Sequence, residues 1–341
     1  MLSRGNKLTT LKKIKDWLRI FRAQTAAAVF MIILVPYLVG GGDFFSWYTL
    51  ILAIWSILVH HISFGHNTIM DTLMGWDNKD IHKLHHPLIS SKIKKETALK
   101  VISIGIILTT IIGIYLVYKS PGNQFYAMSF FSLFMVGGMI YNSGISKVSR
   151  WDVLPISLSF TSLSLYSYFL VAKEFDLLII LIALYIIFLQ WFEIGVEGEI
   201  KEIEIKDEVN MLKLLGTKCD GKTFNMGASI IYPWALKLTG LVIAGYIVYK
   251  YTYELLTIVL FAIFGILAIY FCYELTKKRK WDRKKAVRDM ALEEVMTIFL
   301  LPLILIPKIG SLEVLIILIV SISYFVGMNA LLWGTRFAPR V

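Results

Sequence analysis

Ten stretches of this chain are long and apolar enough that one environment dominates every other constraint on its fold. A helix needs about 20 mostly apolar residues to cross the hydrocarbon core of a bilayer. Such stretches lie near 20–40, 46–66, 98–118, 124–142, 152–172, 176–197, 228–249, 253–273, 291–308 and 312–334. A single water-facing shell cannot hide all of them. Composition agrees: 57% of residues are hydrophobic and 17% charged, against roughly 45–50% and about 25% in soluble domains. The expectation is an all-α polytopic membrane protein, with residues 1–341 forming one membrane-embedded domain. Pro302 and Pro307 interrupt the stretch 291–308, which reads as a broken or re-entrant helix, so the count is nine to ten spans.

The basic residues set the expected orientation. Of 35 Lys and Arg, 29 fall in segments 1–22, 67–97, 145–151, 198–224, 276–288 and 335–341, all on one side if the chain crosses ten times. Cytoplasmic loops carry such an excess, so both termini and these loops are expected in the cytoplasm of a multi-pass cell-membrane protein. The same distribution explains the net charge of +11 without nucleic acid as a partner. The N-terminus lacks the pattern of a cleaved signal peptide. Two cysteines, Cys219 and Cys272, are too few for a disulfide framework or a structural zinc site.

The two long cytoplasmic loops, 67–97 and 198–224, each follow a helix end rich in ionisable residues. Asn67 and Asp71 are four apart, which puts both on one face if the second span continues as a helix. Glu193 and Glu197 repeat that spacing at the end of the sixth span, with Gln190 on nearly the same face. Carboxylates deep at a lipid-spanning end cost about 2.5 kcal/mol or more each, so a compensating cation is expected. Magnesium takes one or two carboxylates, waters and substrate phosphate oxygens, which suits incomplete cages of this kind. The plain alternative is a solvated acidic helix end, with Lys201 and Lys206 pairing the acids that follow. The six histidines lie between His60 and His86, and His82, His85 and His86 form an HxxHH string like those of di-iron enzymes, but no third box follows. His60 and His61 read more simply as interior residues hydrogen-bonded to neighbouring helices.

In order along the chain, Arg22, the Asn67–Asp71 string, His86-Pro87-Leu88-Ile89-Ser90-Ser91-Lys92, Tyr141 to Arg150, the acidic end of the sixth span and Leu214-Leu215-Gly216 resemble motifs of the UbiA superfamily of intramembrane prenyltransferases. The resemblance spans roughly 18–250. It departs where Thr68 and Gly75 replace signature aspartates, where His86 stands for arginine, and where Glu replaces Asp in the second acidic motif. The register of that motif is open between Glu193/Glu197, Glu199/Glu202 and Glu202/Asp207.

The resemblance implies helices around a central cavity opening to the cytoplasmic side, and Mg²⁺-dependent transfer of a prenyl group from a polyprenyl diphosphate to an acceptor within the membrane. Asn67, Asp71, Glu193 and Glu197 would be catalytic. With Asp77 and Glu202 they would hold Mg²⁺, while Arg22, His86, Lys92, Lys147 and Arg150 would bind diphosphate. Tyr141, Tyr166, Trp191 and Phe192 are candidate aromatic walls for an allylic cation. The acceptor is a quinone-type aromatic or a lipid precursor. A membrane terpene cyclase shares this chemistry, and an ion-coupled transporter is the alternative of another class.

Overall fold

The computed structural model describes residues 4–75, 77, 80, 83–144, 153–204, 210–252 and 254–335. Helix α1 (Arg4–Ile20) leads through a short 3-10 turn (Ala23–Thr25) into α2 (Ala26–Val39). Helices α3 (Trp47–Leu73), α4 (Lys95–Lys119), α5 (Gln124–Asn142), α6 (Val153–Phe169) and α7 (Leu177–Phe192) follow. A π-helical turn (Glu193–Gly198) and the single turn α8 (Glu199–Lys201) extend α7. After α9 (Met211–Leu214) come β1 (Lys218–Cys219), β2 (Thr223–Asn225), α10 (Ile231–Tyr251), α11 (Leu255–Thr276), β3 (Arg279–Lys280), α12 (Arg283–Leu303), α13 (Ile306–Ile309) and α14 (Ser311–Trp333).

Among the described residues seven helices are long and apolar enough to cross a membrane, and α1 with α2, bent by 59°, counts as an eighth if the pair is one span. The seventeen-residue α6 is apolar but shorter, and α12 opens on charged residues. Each of the ten expected stretches falls on one of these helices. The chain is a multi-pass, all-α membrane protein apart from one small sheet that the hydropathy pattern does not reveal. In that sheet β1 pairs with β2 and β2 with β3, all antiparallel.

Local chemistry sets the boundaries. Ser46, Asn123, Asp176 and Asp282 each accept a hydrogen bond from a backbone N–H in the first turn of the following helix, supplying the caps that start α3, α5, α7 and α12. The expected first span begins late, at Ala26, because the chain breaks at Arg22, whose backbone is left-handed (φ 47°). This turns its carbonyl toward the Thr25 hydroxyl (3.0 Å) and His60 Nε2 (3.1 Å), both of which donate to it. The expected span 291–308 instead begins at Arg283 and ends at Leu303, one residue after Pro302.

Helix α2 is apolar all round and buried along almost its whole length, as expected of a helix surrounded by protein. Helices α3, α6, α7, α12 and α14 pack around it. Helices α5 and α6 approach closely: a Cβ on Gly137 would lie 2.9 Å from the Pro155 carbonyl, and the Ser159 hydroxyl donates to the Phe134 carbonyl at 2.9 Å. Small residues with hydroxyl cross-links are how helices associate where lipid supplies no hydrophobic drive.

Candidate active site

One cavity of about 1340 Å³ penetrates the bundle. Its polar end is lined by Arg22, Asn67, Asp71, Asp77, Lys83, His86, Glu193, Glu197, Lys201 and Glu202, and its apolar arm by Val29, Ile32, Trp55, Val59, Phe131, Phe134 and Phe160. Trp55, Phe131 and Tyr166 pack against one another at tilted angles with ring centroids 5.2–6.1 Å apart. Two acidic helix ends therefore meet one chamber, with an apolar pocket continuous with it.

Helix α3 runs unbroken to Leu73, so Asn67 and Asp71 do share a face, and both are buried. The second end is built differently. Gln190 Nε2 donates to Glu193 Oε2 at 2.6 Å, and the π-helical turn then carries Glu193 and Glu197 into the chamber. Widened turns of this kind are frequent at functional sites. One carboxylate oxygen on each, Glu193 Oε1 and Glu197 Oε1, is buried without a hydrogen-bond partner. A buried carboxylate oxygen left so is costly and is suited to a hard cation. Among the described residues no three His, Cys, Asp or Glu side chains are placed to hold a metal by themselves. The donor set fits Mg²⁺ that completes its shell with water and phosphate oxygens.

The structure distributes the other expected residues unevenly. Asp77 lines the cavity, but its carboxylate accepts from Lys83 Nζ at 2.6 Å. Glu202 lines the cavity, as does Glu199, whose Oε2 accepts from Leu212 N at 2.8 Å. His86 lines it too, and burial pushes its imidazole down to about 4, with Arg22 and Lys83 adding repulsion and Asp77 opposing. At neutral pH it is an uncharged hydrogen-bond donor. Lys92 is exposed and does not line the cavity, because the chain reverses at Ser91 (φ 56°); Lys83 occupies the wall instead. Lys147 and Arg150 lie outside the described residues.

Of the aromatic candidates, Tyr141 lines the cavity. Tyr166 is core, donating to the Gly113 carbonyl at 2.9 Å. Trp191 donates to the Tyr232 hydroxyl at 2.7 Å, and Phe192 is buried beneath Lys237 Nζ, 3.7 Å from its ring centre. His60 is bound to the Arg22 carbonyl, and His61 Nδ1 to the Ile57 carbonyl at 2.6 Å.

Two features escape the motifs. Lys237 on α10 and Glu293 on α12 form an ion pair with side chains 3% and 0% exposed. Thr297 braces it, donating to Glu293 Oε1 at 2.7 Å and accepting from Lys237 at 3.3 Å. Lys237 within an apolar stretch was the only signal in the sequence. Glu293, Glu294 and Lys237 act electrostatically on Glu193 and Glu197. The second feature is that Arg283, Val287, Met290, Ala291 and Glu294 of α12 line the chamber.

No protein-family model matches the chain, and no curated protein matches it. Solved structures do. A digeranylgeranylglyceryl phosphate synthase of membranes superposes over 87% of this chain and 99% of its own, at 16% identity and a TM-score of 0.59. A UbiA homolog from Archaeoglobus fulgidus bound to GPP and Mg²⁺ covers 93% of this chain and 99% of its own, at 13% identity and a TM-score of 0.47. Matched over nearly all of the synthase's length, the protein has the synthase's fold.

Proposed function

We propose that this protein is a Mg²⁺-dependent intramembrane prenyltransferase, moving a prenyl chain from a polyprenyl diphosphate to a quinone-type aromatic or a lipid precursor. The observation that carries the reading is one cavity with two acidic helix ends at its polar end and an apolar arm beyond. Asn67, Asp71, Glu193 and Glu197 would hold Mg²⁺. Bound with the diphosphate, the metal offsets charge on the leaving group. Arg22, Lys83 and His86, with Lys147 and Arg150, bind the remaining phosphate oxygens. The allylic chain lies along Trp55, Phe131, Phe134 and Phe160, whose faces stabilise positive charge and exclude water from it. Such a donor is too apolar to leave the bilayer, which accounts for a transferase built into it. The loops bearing the polar end face the cytoplasm of the cell membrane.

Convergence of both acidic ends on one chamber favours this over ion transport, for which sites near the bilayer midplane are usual. The test is incubation with radiolabelled geranylgeranyl diphosphate and Mg²⁺, with and without pooled aromatic, naphthoate and prenylglyceryl phosphate acceptors. Acceptor-dependent diphosphate release supports the transferase and, on deconvolution, identifies its acceptor. Release without acceptor, yielding a hydrocarbon, replaces it with a cyclase. No release with any donor length overturns both.

A further inference from the structure

Helix α12 lies beyond the region that the motifs cover, and its sequence gives no sign of a role in binding. Yet one of its faces forms a wall of the chamber, with Arg283 and Lys284 at its start and Glu294 three turns further on. Arg283 is held by a residue about two hundred positions earlier in the chain. Its Nη1 donates to Asp80 Oδ1 at 3.3 Å and its Nη2 to Asp80 Oδ2 at 2.9 Å. The two side chains are 7% and 4% exposed. Asp80 does not line the cavity, whereas Arg283 does.

A guanidinium has five N–H donors in a rigid fork and no acceptor. Asp80 takes one from each terminal nitrogen. The Nε–H is buried and has no acceptor in the protein. A buried charged donor left so is costly, and here it belongs to a group on the cavity wall. The surroundings point the same way. Lys201, also on the wall, feels the repulsion of Lys83, Arg22 and Arg283, opposed by Glu202. Asp77 pairs with Lys83 and Asp80 with Arg283, and the positive charge gathered along this wall suits an anionic head group.

We infer that Arg283 is a further diphosphate-binding residue, held toward the chamber by Asp80, so that the donor's head group is gripped from α12 as well as from the motif-bearing helices. This rests on the prenyltransferase reading and names a binding residue that the motifs leave unassigned. Bidentate anchoring fixes the plane of the guanidinium before the anion arrives, so little freedom is lost when the remaining donors engage phosphate. Asp80 is a positioning residue and touches no substrate.

The test measures binding of inorganic pyrophosphate, with Mg²⁺ present, to the full-length protein in detergent by calorimetry, alongside thermal unfolding without ligand. Loss of a charge-assisted hydrogen bond weakens binding by roughly tenfold or more, so R283Q should bind pyrophosphate at least tenfold more weakly than the wild type. The exchanged pair D80R/R283D separates the roles. It restores the ion pair but moves the cation off the cavity wall, so unfolding temperature should recover relative to the single variants while pyrophosphate binding stays weak. Recovery of both would show Arg283 to be only a strut and would overturn the inference, as would unchanged binding by a folded R283Q. If the wild type binds neither pyrophosphate nor prenyl diphosphate, the prenyltransferase reading fails and takes the inference with it.

Discussion

Asn67 and Asp71 stand on an unbroken α-helix, whereas Glu193 and Glu197 stand on a π-helical turn backed by charges from two other helices. The first end needs only its own helix to present two oxygens on one face. At the second, Gln190 fixes Glu193, and Glu293 and Glu294 add negative charge that Lys237 opposes. The difference teaches that the first end is set locally and the second by tertiary packing. Mutations remote in sequence should therefore disturb the second and spare the first.

The largest test of that contrast is the ion pair behind the second end. Removing one partner of a buried pair costs about 3–5 kcal/mol, because the other charge is left alone. K237M should lower the unfolding temperature sharply, and the double variant K237M/E293M should recover most of the loss. If K237M unfolds like the wild type, the second end does not depend on its backing. Next in size are the ends themselves. D71A and E197A should each slow diphosphate release on the order of 10²–10³-fold, the scale of losing one preorganised electrostatic group. A large effect of D71A with none of E197A would make the second end structural.

The π-turn offers a smaller probe. A Cβ at Gly195 would lie 3.0 Å from the Tyr232 hydroxyl and 3.1 Å from Trp191 Cδ1. G195A should cost about 1–3 kcal/mol by overpacking, and Mg²⁺-induced stabilisation should weaken more than D71-dependent binding does. The smallest effect belongs to His86. Its folded imidazole is held down to about 4, below the ordinary 6.5, so between those values the unfolded chain binds more protons. Its neutral burial therefore costs no stability above pH 6.5, and stability falls as pH drops from 6.5 toward 4. H86Q should flatten that part of the thermal-stability profile. H86R should lower the KM for donor a few-fold at pH 7 by supplying a fixed charge.

Much of the architecture was readable from the sequence, because a lipid span imposes a length and polarity that few other constraints can override. The Asn67–Asp71 pair was readable because α3 keeps its regular period. The second motif kept an open register since a π-turn breaks the 3.6-residue periodicity on which spacing arguments rest; the structure brings Glu193, Glu197, Glu199 and Glu202 all to the chamber and uses Glu199 to cap α9. The wall formed by α12 was hidden because its first two turns, from Arg283 to Met290, are mostly charged and look like an ordinary cytoplasmic loop. Lys92 was misplaced because a basic residue after a Pro-containing stretch carries no record of the turn at Ser91. Tyr166, Trp191 and Phe192 were indistinguishable from lining aromatics, since only packing decides which ring faces a cavity.

The Asp80–Arg283 link also bears on how the protein is made. Asp80 is synthesised and placed at the membrane surface long before its partner, which is 203 residues away. Until α12 has been threaded into the bilayer, the newborn chain has Asp80 without Arg283 and a chamber missing one wall. A truncated or stalled product that ends before α12 should therefore bind donor less tightly than the full chain.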